Sequence, residues 1–300
     1  MKQIKIYSLA AALLLLLACS SSANDSSLLW KVSGNGLDKP SYIFGTHHLV
    51  PISFLDSVNG VIDAFESTEQ TVGEIDMGNM MEMQMKIMSE ATMPAGVTYN
   101  TLLDPDDVEI VDSTLISLLG AGLKQFGTLK PAMLSNIITI TLYQQFYPRL
   151  STDTSLDQYF QDEAHKRNKS VMGLETAESQ IEVLLNSQDL ERQAELLVCI
   201  IRNPELLKQQ MDDLHAAYHS QDINSLLAMA ENETENDPCP STEEERDAVN
   251  KNRNLEWLEK LPSIMSEKSS FIAVGSLHLP GEHGLIEGLK AQGYSVEPIN

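Results

Sequence analysis

The sequence predicts an α/β (α+β) fold: a mixed central β-sheet built from N- and C-terminal segments, with a large helical insertion between them. Three observations carry this. β-forming runs bounded by turn residues lie at both ends of the chain. Helical periodicity and helix-start signals fill the middle, over about residues 100–260. Apolar residues make up 42 % of the 300 and charged residues 21 %, a balance that buries a core and excludes a disordered chain.

The elements follow in order. Residues 28–32 and 41–44 are β-formers separated by Gly34-Asn35-Gly36, which predicts a hairpin. A helix is expected over 58–67 and a third strand over 71–75. Leu103-Asp104-Pro105 opens a helix, with Asp104 as N-cap and Pro105 at its first position. In 131–147, Leu134, Ile138 and Leu142 share one face, and Pro148 stops the helix. Further helices are expected at 156–168, 177–186, 190–218 and 223–231, with a strand at 170–174. Residues 231–247 are acidic and unpatterned. Ser241-Thr242-Glu243-Glu244 then signals a helix running to Pro262. A strand at 270–274, a helix near 283–292 and a last strand at 294–297 close the chain.

The first residues read as an address. Lys2 and Lys5 precede an apolar run that is shorter than the roughly 20 residues of a membrane span. Residues 1–18 form a secretory signal. Leu16-Leu17-Ala18-Cys19 resembles a lipobox, with Cys19 as the lipidation site. Residues 19–27 are a small, polar, flexible tether, and 28–300 the folded body. The protein is expected at the bacterial cell envelope, periplasmic or surface-exposed, held to the membrane by its lipid. An ordinary signal peptide is the simpler alternative. Outside the cytoplasm, Cys199 and Cys239 can form a disulfide or remain free thiols. The net charge of −23, from 43 Asp+Glu against 20 Lys+Arg, repels phosphate backbones and excludes nucleic acid as a bulk electrostatic partner.

Two predicted strand ends share Gly-x-x-His: Gly45-Thr46-His47-His48 and Gly275-Ser276-Leu277-His278. Glycine lets the chain turn sharply. Each histidine then falls beyond the carboxyl end of a strand, where α/β folds place their sites. Glu74 and Asp76 lie at a third strand end. Two imidazoles and a carboxylate suit a divalent metal. His47 is the fallback for His48, and Asp76 for Glu74. His283 reads as an exposed first-turn residue. Met77, Met81, Met85 and Met88 form one helical stripe, which suits core packing, a compliant groove or thioether copper.

With these residues the sequence resembles the TraB/GumN family, within the TIKI-like metallohydrolases. The resemblance rests on LLWKVSGNGLDKPSYIFGTHHL, VGEID, Lys130-Pro131, the Leu156-Asp157 helix, Gly173-Leu174-Glu175-Thr176 with Gln180, Arg253-Asn254 before Trp257, and VGSLHLPGEHGLIEGLKAQGYSVEPI. It implies a site of His48, His278, Glu74 and Arg253. It implies a divalent metal (Mn, Co or Zn) on His48, His278 and Glu74, and hydrolysis of peptides. In that chemistry Glu74 is a third ligand or a general base, and Arg253 stabilises charge on the substrate. Glu175 is a secondary candidate, with a cap or ion pair as its simpler role. The competing expectation is a non-catalytic envelope lipoprotein that binds a peptide, haem or metal through the same histidines.

Overall fold

The computed structural model describes residues 26–78, 80–148, 154–231 and 237–300. Cys19 and the signal segment lie outside the described residues. The sheet holds β1 (Leu29–Ser33), β2 (Ser41–Thr46), β3 (Gln70–Gly73), β4 (Ser170–Gly173), β5 (Ser270–Gly275) and β6 (Ser295–Ile299), in the order β4-β3-β5-β2-β1-β6. β4, β3, β5 and β2 run parallel; β1 is antiparallel to both β2 and β6. The sheet is therefore mixed and joins the two ends of the chain, as expected. β4 comes from inside the 100–260 stretch, which returns to the sheet to lay down an edge strand.

The helix α1 (Val61–Ser67) joins β2 to β3. Between β3 and β4 come α2 (Met80–Glu90), α3 (Tyr99–Leu102), α4 (Pro105–Leu119), α5 (Leu123–Phe126), α6 (Pro131–Phe146) and α7 (Leu156–Lys166). Between β4 and β5 come α8 (Ala177–Asn186), α9 (Leu190–Arg202), α10 (Pro204–His219), α11 (Ile223–Glu231), α12 (Glu243–Val249) and α13 (Lys251–Glu267). α14 (Leu285–Ala291) leads into β6. Local signals set several of these ends. Ser155, Thr176 and Asp189 accept backbone N–H bonds as N-caps, and Thr242 with Glu245 forms a capping box.

Two larger apolar clusters, with a small third one of Ala91, Ile181 and Leu185, hold the described residues together. One surrounds the sheet and includes Phe44, Phe65, Phe160, Phe271 and Trp257. The Phe160 ring packs tilted at 4.6 Å from Phe271 and edge-on at 5.6 Å from Phe44, which fixes α7 on one face of the sheet. The other lies within the helical insertion, where Val111, Leu115, Leu134, Ile138 and Leu197 are fully buried. The stripe predicted at Leu134 and Ile138 thus faces a core separate from the sheet.

Several expectations are corrected. The helix over 190–218 is two helices, because Pro204 lacks the N–H that would continue α9. The helix from 243 breaks near Asn250, then runs through Pro262 to Glu267. Proline leaves the carbonyl four residues earlier unpaired, and Gln292 Nε2 donates to that Leu258 carbonyl at 2.9 Å. β3 ends at Gly73 because Gln161 of α7 takes over the backbone: its Nε2 donates to the Ile75 carbonyl at 2.9 Å and its Oε1 accepts from Met77 N–H at 2.8 Å. The methionine stripe is not core: Met81, Met85 and Met88 are exposed.

Cys199 and Cys239 are bonded, tying α9 to the segment before α12. The bridge closes a loop with a sequence separation of 40. The chain-entropy relation gives about 4 kcal/mol for a loop of that size. Replacing both cysteines with alanine should lower the free energy of unfolding by about 2–4 kcal/mol in urea titrations. A loss under 1 kcal/mol would show that the bridge constrains little of the unfolded chain.

Candidate active site

The carboxyl ends of the four parallel strands lie side by side, and each hands one polar residue to the same edge. In sheet order these are Glu175 after β4, Glu74 after β3, His278 after β5 and His48 after β2. Both motif glycines serve close approach. A Cβ at Gly45 would meet Ser276 at 3.0 Å, and one at Gly275 would press on Glu74 Oε1 at 3.2 Å, the atom to which the Gly275 N–H donates at 2.9 Å. From α10, Tyr218 donates its hydroxyl to the Gly45 carbonyl at 2.9 Å and holds the end of β2.

Arg253 on α13 reaches into this edge, and its side chain is only 10 % exposed. Its Nη2 donates to Glu74 Oε2 and to Glu175 Oε1, both at 2.6 Å, and its Nε to Glu175 Oε2 at 3.2 Å. Nη1 donates to the Val249 carbonyl at 3.1 Å and lies 3.2 Å from His278 Nε2. The guanidinium rests 4.8 Å from the Trp257 ring one turn along. Gln180 Nε2 bridges Glu74 and Glu175 at 3.0 Å each.

The two Gly-x-x-His rings are held alike. His278 Nδ1 is 2.7 Å from Asn254 Oδ1, while Asn254 Nδ2 donates to the His283 carbonyl at 2.9 Å. That amide orientation puts the proton of His278 on Nδ1 and a lone pair on Nε2, which accepts from Arg253. His48 Nδ1 is 2.7 Å from Asp157 Oδ2, and an ionised carboxylate only accepts, so this nitrogen also carries a proton. No partner for His48 Nε2 occurs among the described residues. His48, Glu74, Arg253 and His278 line one cleft of about 360 Å³, walled by Leu49, Leu184, Leu214 and Leu277.

A family model described as TraB/PrgY/gumN matches residues 28–298. The chain belongs to this family. No curated protein and no solved structure matches it.

Within this TraB/PrgY/gumN body the expected residues separate. Glu74, Arg253, His48 and His278 share the cleft, and Glu175 joins them through Arg253. His47 lines the cleft too, but its Nδ1 accepts from Leu49 N–H at 3.1 Å and its ring sits 5.2 Å from Tyr218. Asp76 is exposed and accepts from Gly78 N–H at 2.8 Å, closing its own turn. His283 is exposed, as expected. Asp157, Asn254 and Thr46 were not singled out from sequence. Their partners lie between 24 and 111 residues away, and only the resemblance touched Asp157 and Asn254.

As the side chains stand, no three His, Cys, Asp or Glu residues among those described are gathered to hold a metal ion. The donor chemistry nonetheless fits a cation. Both rings have Nδ1 tied to an oxygen, the usual support of a ligating histidine. The largely buried carboxylates of Glu74 and Glu175 face one buried guanidinium, and that of Asp157 backs the His48 ring.

Electrostatics set the two rings apart. Burial first, then the Arg253 and His48 charges against the opposing pull of Glu74, lower the His278 pKa to about 4. Asp157 raises His48 to about 9, by charge and then by hydrogen bond; the ring is 65 % exposed, so water screens part of that attraction. Burial pushes Glu74 up, but His278, Arg253 and the Gly275 N–H outweigh it and leave it low. His47 falls to about 4, chiefly by burial.

His47 and His278 are depressed bases, so the unfolded chain takes up protons below pH 6.5 that the native state refuses until about pH 4. Stability should therefore fall by about 1.4 kcal/mol per pH unit for each ring as pH drops through that window. In chelator-treated protein, His278→Gln should cut the slope by one proton between pH 6.5 and 5. An unchanged slope would mean that native His278 already carries the second proton.

Proposed function

We propose that this TraB/PrgY/gumN protein is a metal-dependent hydrolase that cleaves peptide bonds at the cell envelope, held there by a lipid on Cys19. One observation carries the reading. Two imidazoles from just beyond the ends of separate strands, each with Nδ1 fixed by an oxygen acceptor, open on the same cleft as a largely buried carboxylate. His48, His278 and Glu74 are the residues that would hold a divalent ion such as Mn, Co or Zn. Such an ion supplies Lewis acidity and a water of lowered pKa.

The chain's own groups do the rest. Glu74 accepts from Gly275 N–H, Arg253 and Gln180, so it stays an anion and suits holding charge better than taking a proton. Only the Nη1–H of Arg253 aimed at His278 Nε2 must turn away for that nitrogen to ligate a metal. The bonds to Glu74, Glu175 and the Val249 carbonyl keep the rest of the guanidinium in place. There it offers positive charge beside the reacting group. Leu184 and Leu277, both partly exposed on the cleft wall, exclude water and contact apolar substrate side chains.

A peptide library incubated with purified protein and added Mn, Co or Zn should yield products by mass spectrometry. Chelation, His48→Ala and His278→Ala should each remove at least 99 % of that activity. Turnover that survives in both histidine variants would overturn the assignment. Saturable peptide binding without product, or a haem Soret band lost with one histidine, would replace hydrolysis with the binding reading.

A further inference from the structure

We propose that Asp157 is the positioning residue of the cleft: from α7 it fixes the His48 ring, so that Nε2 alone is presented to ligand and substrate. The proposal rests on the site described above and adds a residue that touches neither substrate nor metal.

The support is geometric. Asp157 stands in the first turn of α7, and its side chain is 10 % exposed. Each carboxylate oxygen has its own donor. Oδ1 accepts from the buried Thr46 hydroxyl at 2.6 Å, and Oδ2 lies 2.7 Å from His48 Nδ1. Thr46 and His48 flank the same turn, so one carboxylate clamps both sides of it. Two further contacts hold the carboxylate itself still. Phe160 of α7 packs on Phe271, and Gln161 pins the backbone around Ile75 and Met77. A side chain locked by packing on a rigid helix is a better guide than one on a loop.

The two histidines are thereby made unequal. His278 is oriented by a neutral amide, Asn254, and His48 by an anion. An anionic partner makes the ring a stronger donor through Nε2, and losing such a partner typically costs a metal site 10- to 100-fold in affinity. Asp157 also accounts for an exposed ring held in a single orientation. Without it, nothing else among the described residues bonds either ring nitrogen of His48.

Asp157→Asn keeps the shape and removes the charge. Zinc alone, titrated calorimetrically into the full chain, should bind 10- to 100-fold more weakly to the variant. In histidine-labelled protein, the hydrogen-bonded His48 Nδ1–H resonance, assigned by its loss in His48→Ala, should vanish in Asp157→Ala and move upfield in Asp157→Asn, where a neutral amide oxygen replaces the carboxylate. Thr46→Val frees one side of the clamp without touching the contact between Asp157 and His48. It should weaken zinc by a smaller factor and serves as the test if Asp157→Asn fails to fold. An unchanged Nδ1–H resonance with zinc affinity within twofold overturns the proposal. If wild type binds no zinc, the metal reading fails, while the resonance still decides the role of Asp157.

Discussion

A guanidinium withdrawn from water at the ends of three strands must be neutralised in place. Arg253 is that charge, and the edge of the sheet is arranged around it. Glu74 and Glu175 take three of its N–H groups, the Val249 carbonyl and His278 Nε2 the other two, while Trp257 carries its face. Deleting one partner of such a buried set costs about 3–5 kcal/mol, because the other charge is left unpaired. The register of β4, β3 and β5 therefore has to bring Glu175, Glu74 and Gly275 level. The pairings of Gly73 with Gly173 and Ala273 do so.

The same constraint explains why the helical insertion returns to the sheet. α13 must lie where Arg253 can reach two strand ends, and it is fastened at both flanks. Lys260 donates to the Leu174 carbonyl at 2.6 Å, and Gln292 satisfies the carbonyl that Pro262 leaves open. α7 does the equivalent work on β3, with Phe160 in the core, Gln161 on the backbone and Asp157 at the cleft. One helix thus joins packing to the orientation of a site histidine.

The local signals legible in the chain were those that act over a few residues. The hairpin, the Asp104–Pro105 helix start and the Thr242 helix start are all formed in the structure, because caps and turns depend on near neighbours. Pro262 does not end α13, and the Leu258 carbonyl that its missing N–H leaves open is filled by Gln292, the C-cap of the last helix, which no pattern near Pro262 announces. The methionine stripe misled because helical spacing names a face without naming what covers it.

By itself the sequence determined the α/β class and the two Gly-x-x-His strand ends, which are written in periodicity and motif order. Glu74 and Arg253 joined those histidines in one candidate site through the resemblance to the TraB/GumN family. Only the tertiary structure decided that Asp157 backs His48, that Asn254 backs His278, and that Arg253 stands between Glu74 and His278. It also separated Glu74 from Asp76, which two-residue spacing had made equivalent. The reason is distance along the chain. Partners 24 to 179 residues apart are chosen by how strands and helices pack, and no local pattern of residues encodes that choice.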